Sequence, residues 1–346
     1  MAGLFDLEFH EKKIKEYQPT LAKLDLVIDW EMFRETIEKA LYVEPKGAGG
    51  RPPFDKIMMF KILILQKYYN LSDEQTEFQI NDRTSFKQFL GLKIGDTIPD
   101  EKTIWHFKEQ LANKDLSKSL FEMFAVALMD KGIIAKEGSI VDATFVDVLK
   151  QRNSKEDNAD IKKGAVPLKF GKKDKNGKQS KLCQKDTDAR WMTKSGEKHF
   201  GFKDHINADE KTKLITKYSV TSAAPHDSTE IENIVDETDN RLHADSAYRS
   251  KEIEEHLKAI ECESFVHEKG YRGSPLTEQQ KESNNKKSKI RARVEHISGF
   301  MTNSMNNALY MRSIGIKRIK ESIGLLNLTY NLFRFEQLIR LEKVKI

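Results

Sequence analysis

Cysteine is nearly absent from the chain. Among 346 residues only Cys183 and Cys262 occur, without CxxC spacing, which argues against a disulfide framework or a zinc–thiolate centre. Two free thiols fit a reducing cytosol. Long apolar runs are also missing. The most apolar stretch, Ile57 to Leu65, is interrupted by Lys61 and falls short of the ~20 residues a membrane span needs, so no membrane partner is expected. The N-terminus lacks the basic-then-apolar pattern of a signal peptide, and a cytoplasmic protein is the expectation. No glycine-rich phosphate loop is present, so no nucleotide cofactor is expected. Net charge is modest at +5, and its distribution says more than its sum. Lysines gather at 162–181, at 286–293 and near the C-terminus, where they can form local positive patches.

The length of 346 residues favours about two domains. Up to residue 135 the apolar spacing is largely helical. Helices are expected around Leu21–Leu24 and Trp30–Leu41, then a break at Gly47-Ala48-Gly49-Gly50-Arg51-Pro52-Pro53. From Phe54 to Tyr69 apolar residues surround most of the helix, which predicts a buried one. Ser72 with Gln75 forms a capping-box pattern; a helix to about Ile80, a turn at Asn81-Asp82 and a helix to Leu90 follow. That pair reads either as a DNA-reading helix-turn-helix or as plain packing. Pro99-Asp100 opens a helix carrying Trp105 and Phe107, and Ser117 is placed to cap a long helix ending at Gly132.

At Gly138 the pattern changes. Ser139–Val148 alternates and is β-branched, as strands are. Residues 150–198, rich in Lys, Asp, Asn and Gly, read as a solvated insertion or as a basic flap against DNA. Strands are expected at His199–Ile206 and Lys213–Ser222, a helix from Ser228 to about Asp236, and a strand at Arg241–Asp245. A helix at Ser250–Ala259, a strand at Glu261–Val266 and an irregular polar stretch at 267–287 come next. Helices then run from Ser288 to the end, broken near Gly315. This element order is that of a ribonuclease-H-like mixed-sheet core. The expected architecture is mixed α+β or α/β: a helical N-terminal region (1–135), a catalytic core (136–312) with an inserted basic segment (150–198), and C-terminal helices (313–346).

Three acids occupy the stations where such a core collects its site: Asp142 in the first strand, Asp245 at the end of the fourth, and Glu295 on a late helix. Oxygen donors in this arrangement suit hard divalent cations and chemistry on a nucleic-acid backbone. Each has a plainer reading. Asp142 can cap a turn at a strand end, Asp245 can cap a helix, and Glu295 can pair with Arg291 one turn earlier. Asp147, five residues beyond Asp142, points to the opposite strand face and is read as structural. The basic run Lys286, Lys287, Lys289, Arg291 and Arg293 is either a solvated face or a phosphate contact. Trp191 either packs or stacks on an unpaired base, and His296 either orients a water or a leaving group or is a structural histidine.

The chain resembles bacterial insertion-sequence transposases of the DDE type, specifically the group named after insertion sequence five. The segments that carry the likeness are Gly50-Arg51-Pro52-Pro53, Tyr69-Asn70-Leu71-Ser72-Asp73-Glu74, Asp82-Arg83-Thr84-Ser85-Phe86 and Pro99-Asp100-Glu101-Lys102-Thr103-Ile104-Trp105. Lys185-Asp186-Thr187-Asp188-Ala189-Arg190-Trp191, His226-Asp227-Ser228, Ala244-Asp245-Ser246-Ala247-Tyr248 and Arg291-Ala292-Arg293-Val294-Glu295-His296 complete it. The resemblance implies an N-terminal domain that helps bind terminal inverted repeats, and Mg²⁺-dependent end cleavage and strand transfer by a multimer, at least a dimer. Of the wider superfamily's Tyr-Arg-Glu-Lys signature, Arg291 and Glu295 fit, whereas Ser288 and Thr302 stand at the Tyr and Lys stations. The expected cofactor is a pair of Mg²⁺ or Mn²⁺ ions held by Asp142, Asp245 and Glu295, and the expected partner is double-stranded DNA, both terminal repeats and target. A DNA-binding regulator without catalysis and a nuclease of the same fold are the rival readings.

Overall fold

The computed structural model describes residues 9, 12–14, 16–17, 19–44, 52–167, 169–173, 179–181, 183–194 and 196–344. The expected break at 47–53 therefore lies, except for Pro52 and Pro53, outside the described residues.

Helices fill the first part of the chain, at Thr20–Val27, Arg34–Ala40, Lys56–Tyr69, Asp73–Asp82, Thr84–Leu90, Glu101–Asn113 and Leu116–Asp130. Their ends follow local chemistry. Asp55 caps the Lys56–Tyr69 helix by accepting from the Met58 amide at 2.9 Å, and Asn70 closes it in the left-handed region. Ser72 and Gln75 form the expected capping box. Two expectations fail here. The Asp73–Asp82 helix runs through Asn81-Asp82, and the boundary falls at Arg83. Ser117 is not a cap: Asp115 stands at that position, while Ser117 lies buried inside the helix and donates to Glu321 Oε2 at 2.9 Å. The Asp73–Asp82 helix carries four acids and no Lys or Arg, and its successor buries Phe86, Phe89 and Leu90. Both traits favour packing over groove reading.

The sheet is mixed and has seven strands: β1 (Ser139–Val148), β4 (Arg190–Lys194), β5 (Glu197–Asp209), β6 (Ile215–Ser222), β7 (Arg241–His243), β8 (Glu263–Ser264) and β9 (Tyr310–Met311). A separate ribbon pairs β2 (Gly171–Lys173) with β3 (Gln179–Lys181). β1 is central. β5 runs antiparallel to it, and β6 and β4 lie antiparallel on the far edge of β5. On the other side β7 and β9 pair with the two ends of β1 in parallel, and β8 lies parallel to β7.

Alternation along the strands splits the sheet into two faces. Ile140, Val146, Phe202 and Ile206 join the large apolar cluster that also contains the N-terminal helices and the Ile316–Arg340 helix. Val141, Leu242 and Ala244 face the other way, against Ile231, Ile234, Ile253 and Leu257. The Ile316–Arg340 helix is buried along most of its length, and its polar residues do structural work. Asn331 accepts from the Ile215 amide at 2.9 Å and donates to the Ile215 carbonyl at 2.8 Å, satisfying backbone groups at the start of β6. No described helix is long and apolar enough to cross a membrane.

Two polar stretches are more ordered than their composition predicts. The inserted segment contains a helix, Lys155–Lys162, opened by a Ser154/Asp157 capping box, and β4 extends the sheet. Buried Asp186 accepts from the amides of Asp188, Ala189 and Gly315, tying the insertion to the last helix. The stretch 267–287, expected to be irregular, includes the first ten residues of the Glu278–Arg291 helix, which a Thr277/Gln280 capping box starts.

Candidate active site

Sheet register places two of the three acids. β1 and β7 pair Ser139 with Leu242 and Ile140 with His243, an offset of 243 − 140 = 103. Asp142 and Asp245 have the same offset, 245 − 142 = 103, and lie two residues past the last paired residues, so the register continued by two residues would bring them level. Neighbouring strands lie about 4.8 Å apart, and residues on one rung share a face. Backbone pairing thus directs both aspartates to the same end of β1 and β7, and the charges of both reach the Tyr248 hydroxyl.

Asp245 also caps the short 3₁₀ turn Ser246–Tyr248, accepting from the Ala247 amide at 2.7 Å. The capping reading and the site reading are thus compatible, since this bond engages one oxygen. The turn is anchored by Tyr248, whose ring is 1% exposed in the cluster under Val141. Burial pushes the Tyr248 phenol well above its ordinary range, and the charges of Asp227, Asp142 and Asp245 push it the same way. Three carboxylates thus act on one buried hydroxyl. Asp227 is balanced by Lys203, whose Nζ lies 2.7 Å from its Oδ1 and is itself 1% exposed. Sequence reasoning gave no site role to Asp227, Lys203 or Tyr248; only the quoted segments containing Asp227 and Tyr248 pointed towards two of them.

Glu295 is held differently. It begins the short helix Glu295–Gly299, whose Ile297, with Val294 just before, packs into the cluster that covers the Asp142 face. Its side chain is 64% exposed and pairs with Arg291 Nη2 at 3.0 Å, as the plainer reading expected. The charges of both Arg291 and Asp245 reach His267, which lies 3.4 Å from Ser288 Oγ. Burial, then the charges of Arg291 and Lys287, lower the His267 imidazole, while Asp245 acts in the opposite sense. Among the described residues no three His, Cys, Asp or Glu side chains gather closely enough to hold a metal ion. Asp142 and Asp245 carry hard oxygen donors, a chemistry that fits a divalent cation, while Glu295 is engaged by Arg291.

The basic run is divided. Lys286 and Lys289 are exposed, Lys286 pairing with Glu282 at 2.9 Å. Lys287 turns inward, donating to the Val266 carbonyl at 2.9 Å, and Arg293 donates to the Glu210 carbonyl at 2.8 Å. Ser288 Oγ donates to the Asn284 carbonyl and Thr302 Oγ1 to the Ser298 carbonyl, each four residues earlier. His296 is exposed, and Trp191 on β4 is 46% exposed with its ring tilted on Phe200. Asp147 lies 3.4 Å from His199 Nδ1, off the Asp142 face as its spacing predicts.

Among known families, residues 8–110 match the one described as Transposase domain (DUF772), and residues 134–332 match the one described as Transposase DDE domain. No solved structure matches the chain. The second match covers more than half of the 346 residues and contains all three acids. The chain belongs to the DDE transposases of insertion sequences, a family of enzymes that cleave DNA and transfer strands with divalent metal ions.

Proposed function

We propose that the protein binds the terminal inverted repeats of its own element, cleaves DNA at the ends to free 3′-hydroxyls, and joins those hydroxyls to target DNA. The observation that carries this reading is that Asp142 and Asp245 keep the 103-residue offset of the β1–β7 register inside a DDE domain. The antiparallel β6-β5-β1 half and parallel β1-β7-β8 half support a ribonuclease-H-like core, with residues 1–135 as the DNA-binding region and 313–346 as the helix that closes over the sheet. The quoted sequence segments favour the insertion-sequence-five group.

In this reading Asp142 and Asp245 hold Mg²⁺ or Mn²⁺, two ions per site, with Glu295 completing the set. Held there, the metal would supply Lewis-acid assistance to the attacking and the leaving oxygen. Arg291 has two partners in turn: Glu295 before DNA binds, and a backbone phosphate afterwards. Lys286 and Lys289 extend that phosphate contact along the exposed side of their helix, while Lys287 and Arg293 hold the helix against the sheet. Asp227, neutralised by Lys203, and the buried Tyr248 ring fix the turn that presents Asp245. Trp191 stacks on an unpaired base and His296 orients a water. The active complex is at least a dimer.

The test uses DNA carrying the inverted repeats that flank the reading frame, incubated with the full chain and Mg²⁺ or Mn²⁺. End nicking followed by joining to a target plasmid is expected. Binding without nicking under either ion identifies a regulator, and nicking without joining identifies a nuclease; either result overturns the proposal.

A further inference from the structure

A cavity of about 630 Å³ opens where the end of the Lys56–Tyr69 helix, the Glu101–Asn113 helix, residues 308–314 and the start of the Ile316–Arg340 helix meet. It is separate from the acids. Tyr310, one of its lining residues, pairs with Asp147, five residues beyond Asp142 and so roughly 17 Å further along β1. Its size falls within the range of small-molecule sites, roughly 300–1,000 Å³.

The cavity has a polar wall. Glu321, 5% exposed, lines it; Oε2 accepts from the Ser117 amide and hydroxyl, but Oε1 has no hydrogen-bond partner. Lys67 lines the same wall and donates to Ser322 Oγ. Burial raises the Glu321 carboxyl to about 7, and burial with nearby Lys108 lowers the Lys67 ammonium to about 7. A donor and an unfilled acceptor thus share one wall near neutrality. Trp105, 49% exposed, lines the cavity as well. Lys108 is paired with Asp73 and Arg318 with Glu109, whereas exposed Arg312 makes no ion pair among the described residues.

These features exclude simpler occupants. An apolar ligand leaves the buried Oε1 unpaired, at a cost of about 1–3 kcal/mol. At the wall that carries Oε1 an inorganic anion meets the like charge of Glu321, and an amine meets that of Lys67. A planar heteroaromatic ring presents donor and acceptor on one edge and a π-face for Trp105. We propose that this cavity binds a nucleotide, with the base edge on Glu321, the ring on Trp105 and the phosphate at Arg312. The nucleotide is either a free mononucleotide or one unit of a single strand.

The test is tryptophan fluorescence of the full chain, titrated without metal by each deoxynucleoside monophosphate, by the matching nucleosides and by short single-stranded DNA. It is independent of cleavage, so its failure leaves the transposase reading standing. Saturable quenching at up to millimolar concentration is expected, and Trp105→Phe should abolish it while Trp30 and Trp191 remain. Glu321→Gln should weaken the preferred base about tenfold or more. Arg312→Ala, on an exposed residue, should weaken monophosphates and leave nucleosides unchanged. Quenching by mononucleotides supports the free source, and quenching by single strands alone supports the strand. No saturable quenching by any probe, or quenching that survives Trp105→Phe, overturns the proposal.

Discussion

Asp142 lies in the central strand and Asp245 just past its parallel neighbour β7, whereas Glu295 rides on a five-residue helix and is held by its neighbour Arg291. The β1–β7 register is set by two residue pairs and by the buried side of β7, and a one-residue slip would turn Leu242 and Ala244 out of the core. The third acid has no such constraint. In the proposed site two donors are placed by the sheet, and the third would have to give up Arg291 to join them.

That contrast is tested first, and with the largest effect, by neutralising each acid. Asp142→Asn and Asp245→Asn should each lower end cleavage at least about 10³-fold, about 4 kcal/mol of barrier. Both should also remove Mn²⁺ binding measured by calorimetry without DNA. Glu295→Gln should impair cleavage yet retain DNA-free Mn²⁺ binding. If Glu295→Gln abolishes that binding as completely as Asp142→Asn, the distinction between fixed and movable donors fails.

A second contrast lies within the sheet face itself. Asp204 stands opposite Thr144, on the Asp142 face, but under Asn327 of the long helix and 1% exposed. Burial raises its carboxyl from the ordinary 3.8 to about 7, against the hydrogen bond from Asn327. Between those values the folded chain keeps a proton that the unfolded chain has lost, so stability falls as pH rises through that window. Below it both states are protonated, and above it both are ionised. Asp204→Asn removes this liability. Relative to the parent it should gain up to about 4 kcal/mol more at pH 8 than at pH 4, at 1.36 kcal/mol per pH unit. Denaturant melts at the two values measure the difference, and an equal effect at both would show that Asp204 is ionised in the fold.

Much of this was legible in the sequence where the backbone decides. β1 has the expected limits, Ser139–Val148, because alternation and β-branching mark a strand. The spacing of 103 residues between the two aspartates equals the β1–β7 register, although the spacing alone does not show that the strands pair. Polar segments were less legible. Glu278–Arg291 has no buried residue and thus no apolar period, and only its Thr277/Gln280 capping box announced it. Ser117 looked like a cap because serine favours that position; its buried bond to Glu321 spans 204 residues and leaves no local trace. For the same reason Lys286 and Lys287 were indistinguishable until the helix placed one outward and the other on the Val266 carbonyl.

The smallest expected effect bears on how firmly the movable acid is held. The Arg291–Glu295 pair spans four residues on one side of the chain, with side chains 23% and 64% exposed. Exposed pairs at this spacing contribute about 0.3–0.5 kcal/mol, because water screens the charges and two long side chains must be fixed in place. Such a contact biases Glu295 without locking it. Arg291→Ala should therefore tighten DNA-free Mn²⁺ binding by no more than about twofold, the equivalent of that energy. The same variant should weaken DNA binding, since the guanidinium is also the proposed phosphate contact. Calorimetry in the absence of DNA separates the two consequences. A tightening of tenfold or more would mean that Arg291 locks the site shut, and that DNA opens it by taking the arginine.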